Sequence, residues 1–211
     1  IMAPLMTLMW GPVEAIAVII GAGVIGSAPQ TVANVKLINF REMAPMLIAA
    51  LIFVPIGGVM LVNFDPVIIK RVIAISILIA ALVQISGWSY KGPRGAIPSG
   101  IAGAVSGWVN GISSVGGPAA VMYLISLPDE PRVQRANITI TIYTHGSLLF
   151  LTLLISGALG LTSVIWSGLV LGPYFLGMWS GGRLFHVLPD RIFRWVVLGI
   201  LVVLSVLILV A

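Results

Sequence analysis

Charge is scarce in this sequence: Asp, Glu, Lys and Arg make up only 8% of its 211 residues, where a soluble chain carries about 25%. With 59% hydrophobic residues and a mean hydropathy of +1.15, too little polar surface remains to solvate a globule in water, so the solvent is lipid. Cysteine is absent, which excludes a disulfide framework, an iron–sulfur cluster and thiol chemistry. Neither a Walker-type GxxxxGK(S/T) nor an HExxH occurs, so no ATP motor or zinc protease is indicated, and no metal or cofactor is expected. Glu14, Glu42, Asp65, Asp129, Glu130 and Asp190 all sit near the ends of apolar runs, which speaks against a carboxylate relay at mid-membrane. The net charge of +5 does not point to nucleic acid, because the Lys and Arg residues flank apolar runs singly or in pairs, as in membrane proteins.

What the sequence does contain is continuous apolar runs close to the length of a spanning helix, not the alternating pieces of about 10 residues that a barrel requires. The expected fold is therefore all-α and integral to the membrane, with about eight transmembrane helices, the first truncated. Gly, Pro and polar punctuation places them at Ile1–Trp10 (the end of the first), Val13–Leu37, Glu42–Leu61, Val67–Ile85, a fifth element from Ala96, Arg132–Ile155, Ser163–Leu184 and Arg191–Val210. The fifth reads as a helix broken at mid-depth, with Ala96–Val109 and Ala119–Leu127 on either side of Asn110–Pro118.

An internal repeat divides the chain at residues 1–90 and 91–211. A shift of 124 lays Gly57-Gly58 on Gly181-Gly182, Ile68 on Ile192 and Lys70 on Arg194; a shift of 121 lays Pro12–Ala15 on Val133–Ala136; a shift of 114 lays Pro4 on Pro118. Pro4 then partners Pro118, so the first copy's own glycine-rich break is expected upstream, in an extension of roughly 20 to 35 residues. Four helices per copy imply copies related by an axis along the membrane normal. Alternating the loops puts Lys70, Arg71, Arg132, Arg135, Arg183, Arg191 and Arg194 on one side and Lys36, Arg41, Lys91 and Arg94 on the other. The first set is then cytoplasmic, with both termini outside.

The break is the most informative segment. Irregular backbone inside a bilayer survives only where protein buries it or a cavity meets it. Gly116 and Gly117 suit close approach and positive φ, and Pro118 suits the first turn of a new half-helix, whose N-terminus attracts anions. Asn110, Ser113 and Ser114 add neutral donors; tight packing of small residues is the competing explanation. His145 lies in a long uncharged stretch and shares a face with Thr141 and Thr144, as a proton relay, an anion ligand or a neutral core histidine. Tyr123 and Asn137 can reach the same cavity, although Tyr123 equally suits an interfacial anchor. Gln30, Thr31 and Asn34, around Pro29, interrupt the Val13–Leu37 helix with polar groups. Arg135 is either an anion-attracting residue or a solvated flank.

Asn110 to Leu124, followed by Arg132-Val133-Gln134-Arg135-Ala136, resembles the second-half signature of the sulfite exporter TauE/SafE family. Pro4-Leu5, Gly11–Ala15 and Pro55–Gly58 resemble its other copy. The resemblance implies a multi-pass permease of the bacterial inner membrane moving sulfite, a sulfonate or another organosulfur or carboxylate anion. It also implies that the helix break falls on Gly116, Gly117 and Pro118 and that Arg135 is the family's arginine. Substrate binding is thus expected at Asn110, Ser113, Ser114, Gly116, Gly117, Pro118, Tyr123, Gln30, Thr31, Asn34 and Arg135. The partners are a small anion and the lipid bilayer, not nucleic acid, with a homo-oligomer left open. A passive channel, a non-transporting scaffold and, more remotely, an intramembrane enzyme are the alternatives.

Overall fold

The structure, a computed structural model, describes residue 6, residues 11–88 and 90–187, and the short pieces 199–200, 202–203 and 205–207. The described secondary structure is helical throughout: α1 (Pro12–Asn34, extended by a 3-10 turn, Val35–Leu37), α2 (Phe40–Asn63), α3 (Pro66–Ser86), α4 (Ala96–Ser113), α5 (Gly117–Ile125), α6 (Pro131–Ile155) and α7 (Leu161–Val187). Four of these stretches, Pro12–Leu37, Phe40–Asn63, Pro66–Ser86 and Pro131–Ile155, are long and apolar enough to cross a bilayer. The expected helix ends at Ile1–Trp10 and Arg191–Val210 lie largely outside the described residues.

Local chemistry sets the boundaries. Proline occupies the first turn of α1, α3 and α6, where its missing N–H costs nothing. The Asp65 carboxylate caps α3 by accepting from the Val67 N–H at 2.7 Å. Gly87, at φ 66°, ends it in the left-handed conformation. The expected Val13–Leu37 helix is present, and α1 runs through Pro29 to Asn34. The Ser27 hydroxyl there donates to the Gly23 carbonyl at 2.7 Å.

The most extensive contact between helices joins α2 and α4, and glycine makes it possible. A Cβ on Gly103 would collide with the Met46 carbonyl and lie 2.7 Å from its Cα; on Gly111 it would lie 2.7 Å from the Gly57 Cα. Gly107 faces Ala50, 3.2 Å from where its Cβ would stand. Residue numbers rise together along this seam, so the helices run parallel with backbones in direct contact. Among the described residues, apolar side chains complete the interior in two clusters. Ile38, Met43, Met46, Tyr123, Leu124, Leu127 and Ala136 form one. The larger gathers Ile16, Val54, Leu61, Ile73, Ile112, Leu149 and Leu153, among others.

The chain from α4 to α5 does not cross the membrane; it turns back. Gly116 lies against the Ser106 carbonyl and Asn110, and Tyr123, two turns into α5, has its ring 5.3 Å from that of Tyr90, before α4 begins. Arg94 is ion-paired with Glu42 at the start of α2 and, at 2.9 Å, with Asp129 after α5. Both ends of the α4–α5 hairpin are therefore on one face. This overturns the alternating assignment of loops: Lys36, Arg41, Lys91, Arg94, Arg132 and Arg135 share a face, and Lys70 and Arg71, at the far end of α2, are on the other.

Replacing Gly103 by Val is expected to abolish the monodisperse folded protein in detergent, since overpacking at a backbone contact costs about 1–3 kcal/mol or more. Gly100→Ala, with its nearest neighbour 3.9 Å away, should leave thermal unfolding unchanged. The cysteine-free background permits a second check. Cysteines at Lys91 and Arg132 should react with an impermeant maleimide from the same side of sealed vesicles, and one at Lys70 from the other.

Candidate anion site at a re-entrant hairpin

The hairpin turns in three residues, Ser114 to Gly116, so α4 extends through Ser113 instead of stopping at Val109. Positive φ, expected of the glycines, falls on Ser114 at 57°, whose N–H donates to the Asn110 carbonyl at 2.8 Å and caps α4. The Ser113 hydroxyl donates to the Val109 carbonyl at 2.7 Å and accepts from the Val115 N–H at 3.3 Å. Ser113 thus builds the turn and is not a free donor.

Gly116 and Gly117 have different tasks. Gly116 has an ordinary helical φ of −68°, but a Cβ there would strike the Ser106 carbonyl and the Asn110 side chain. Its absence lets α5 start close against α4, about 15 Å along α4 from its beginning. Gly117 has nothing within 4 Å of a would-be Cβ, and with Pro118 it borders a cavity of about 810 Å³. The N–H groups of Gly117 and Ala119 have no carbonyl one turn earlier to bond, and the positive end of the α5 dipole points the same way. Beside them Asn110 is buried, and its Nδ2 has no hydrogen-bond partner. Unpartnered donors therefore lie at the start of α5, where the end of a helix dipole favours negative charge.

Among the described residues the other buried, unpartnered polar atoms are Asn137 Oδ1, both ring nitrogens of His145, and Ser147 Oγ, all on α6. Each costs about 1–3 kcal/mol unless it meets a ligand or water. Asn137, Thr141 and His145 recur at one-turn spacing on the buried face of α6. The Thr141 hydroxyl donates to the Asn137 carbonyl at 2.7 Å and touches the Met46 sulfur at 3.7 Å. His145 is 1% exposed, and Thr144 is partly buried beside it.

Towards the face that holds Arg94, a second cavity of about 450 Å³ opens between α2, α4, α5 and α6. Tyr123 and Asn137 line it together, with Arg41, Glu42, Arg94 and Ser99. Partial burial opposes the charge on Arg94, but the hydrogen bond and charge of Asp129, and those of Glu42, outweigh it and raise its pKa above the ordinary value. Sequence reasoning missed Arg94 and Ser99 and read Arg41 as a flank. The acidic residues at helix ends were the available signal, but only the hairpin's return shows which of them meet Arg94.

The remaining expected residues are elsewhere. Gln30, Thr31 and Asn34 sit at the end of α1, with Thr31 donating to the Ser27 carbonyl at 3.0 Å and Asn34 to the Gln30 carbonyl at 2.8 Å. They line neither the break nor the cavities described above. Arg135 is exposed on the second turn of α6, outside the Arg94 cavity.

The profile of the sulfite exporter TauE/SafE family matches residues 1–208. The chain belongs to the TauE/SafE family. It is therefore a multi-pass membrane protein of a sulfite-exporter, permease type. Comparison with curated proteins and with solved structures gave no match. In this TauE/SafE protein Gly116 closes the hairpin turn, and Gly117 and Pro118 open α5.

Gly116→Ala should disrupt the hairpin and lower thermal stability, because its Cβ meets backbone. Gly117→Val should leave stability nearly unchanged yet abolish anion binding by filling the space before α5, read by calorimetric titration with sulfite.

Proposed function

We propose that this protein is a secondary transporter for a small oxyanion such as sulfite, a sulfonate or a carboxylate, bound at the α5 N-terminus and moved by alternating access. The observation that carries the reading is the hairpin: a half-helix whose free N–H groups begin at mid-depth beside the unpartnered Asn110 amide. Neutral donors suit a permeant anion, because they stabilise it without the fixed opposite charge that would trap it.

Helix directions support two copies related by inversion, not by an axis along the membrane normal. Gly21 lies near Phe150 and Val24 near Gly146, so α1 and α6 run antiparallel. α2 runs parallel to α6 through Met46–Thr141 and Gly58–Thr152, and α1 parallel to α7 through Val18–Ser167 and Gly26–Tyr174. α2 and α7 are therefore antiparallel too. The shifts of 124 and 121 carry Met46–Thr141 onto Val170–Ile20, one residue out of register with the observed Ser167–Val18. The same operation carries Val24 onto His145, so the two-fold axis passes beside the Val24–Gly146 contact. His145 then lies at the repeat interface, where inverted-repeat transporters place substrate and coupling ions, and it can take up a proton with the anion.

In proteoliposomes, radiolabelled sulfite flux should saturate and respond to an imposed pH gradient. Asn110→Leu should reduce it by roughly tenfold or more, a buried hydrogen bond to a charged group contributing about 1.5–3 kcal/mol, and His145→Ala should remove the response to the gradient. Flux that rises linearly with concentration would instead identify a passive channel.

A further inference from the structure

The cavity of about 450 Å³ beside Arg94 carries features that neither the hairpin site nor the family assignment uses. Its charges are not equivalent. Arg94 is held by Glu42 and Asp129, whereas Arg41, at the cavity's mouth, has no carboxylate partner among the described residues. Its inner wall is neutral and polar: Ser99, Tyr123 and Asn137 are 4%, 6% and 2% exposed. The Asn137 Oδ1 has no partner, so this amide is built into the wall without a protein group to answer it, and a half-turn about its side chain presents the NH₂ instead. The Tyr123 hydroxyl interacts with Ser99 and with the backbone of Gly95, which fixes its direction. Met43, Pro45, Leu124 and Leu127 make the apolar part of the lining.

We propose that this cavity is a capture site, separate from the hairpin site, for a small organic oxyanion with a short aliphatic tail. The inference rests on the transport reading for its purpose but not for its chemistry. Arg41 draws in the charged head, which the Ser99 and Tyr123 hydroxyls and the Asn137 amide then hydrogen-bond. Arg94, already compensated, holds the α2, α4 and α5–α6 ends together around the cavity and does not bind the ligand. The tail lies on Met43, Leu124 and Leu127, a surface that bare sulfite would leave unused in a space of this volume. Lys36, Arg41, Lys91, Arg94, Arg132 and Arg135 share this face, and that excess over Lys70 and Arg71 marks it as cytoplasmic. A cytoplasmic capture site serves export.

The test is equilibrium binding of propane-1-sulfonate and of sulfite to the purified full chain in detergent, with thermal unfolding as a check on folding. Propane-1-sulfonate should bind the more tightly. Arg41→Gln, at an exposed position, should weaken both ligands about tenfold without shifting the unfolding temperature, and Leu124→Asn should weaken propane-1-sulfonate alone. Ser99→Ala, a smaller change, should repeat the Arg41 effect in milder form should Leu124→Asn fail to fold. Equal affinity of the two ligands, or unchanged binding in Arg41→Gln, overturns the capture site; saturable sulfite flux that still depends on Asn110 would then leave the transport reading standing. Binding that follows the expected pattern while the wild type shows no flux supports the site and removes the transport reading instead.

Discussion

Backbone-to-backbone contact between α2 and α4 is the constraint on which the rest depends. In lipid no hydrophobic force drives helices together, so association relies on close packing. Gly103, Gly107 and Gly111 let α4 lie directly on Met46, Ala50 and Gly57. That contact presses a helix of modest hydrophobicity into the protein interior, where its polar residues, Ser99, Ser106 and Asn110, are sheltered from lipid. The hairpin can then turn inside the membrane, because α4 supplies a wall for Gly116 to pack against.

From the hairpin's return follow two results that look unrelated. One is electrostatic: Arg94, Glu42 and Asp129 come from three separate segments and meet because both ends of the hairpin are on one face. The other is symmetry. An element that enters and leaves by the same side contributes no crossing, and on the proposed repeat the antiparallel course of α1 and α6 relates the copies by inversion. In inverted-repeat transporters such a pair presents equivalent faces to opposite sides of the bilayer.

Much of the outline was legible in the sequence. The ends at Asn63–Pro66, Gly87 and Pro131 were readable because Pro, Gly and a capping Asp act through their own backbones, and hydropathy of this degree permits only a membrane. The Val13–Leu37 helix was legible despite Pro29, because a proline removes only one hydrogen bond and the helix here runs on through it. At the break, the glycines pointed to the right place, and one of their two expected causes held. Ser114, not a glycine, adopts the left-handed conformation, whereas the close approach expected of Gly116 is present, with α4 as the neighbour that only the fold could name.

Asn110, Thr141 and His145 could be nominated from sequence because polar groups in an apolar run are conspicuous, whereas Arg41 and Ser99 could not, being ordinary residues near helix ends. The sequence by itself determined the solvent, the helices, the family and the position of the break, all of which follow from properties of single residues or short runs. The tertiary structure decided that the broken helix doubles back, and with it which helix ends share a face and which residues line the second cavity. Those depend on which distant backbones can touch, and that is set by the fit of whole helix faces.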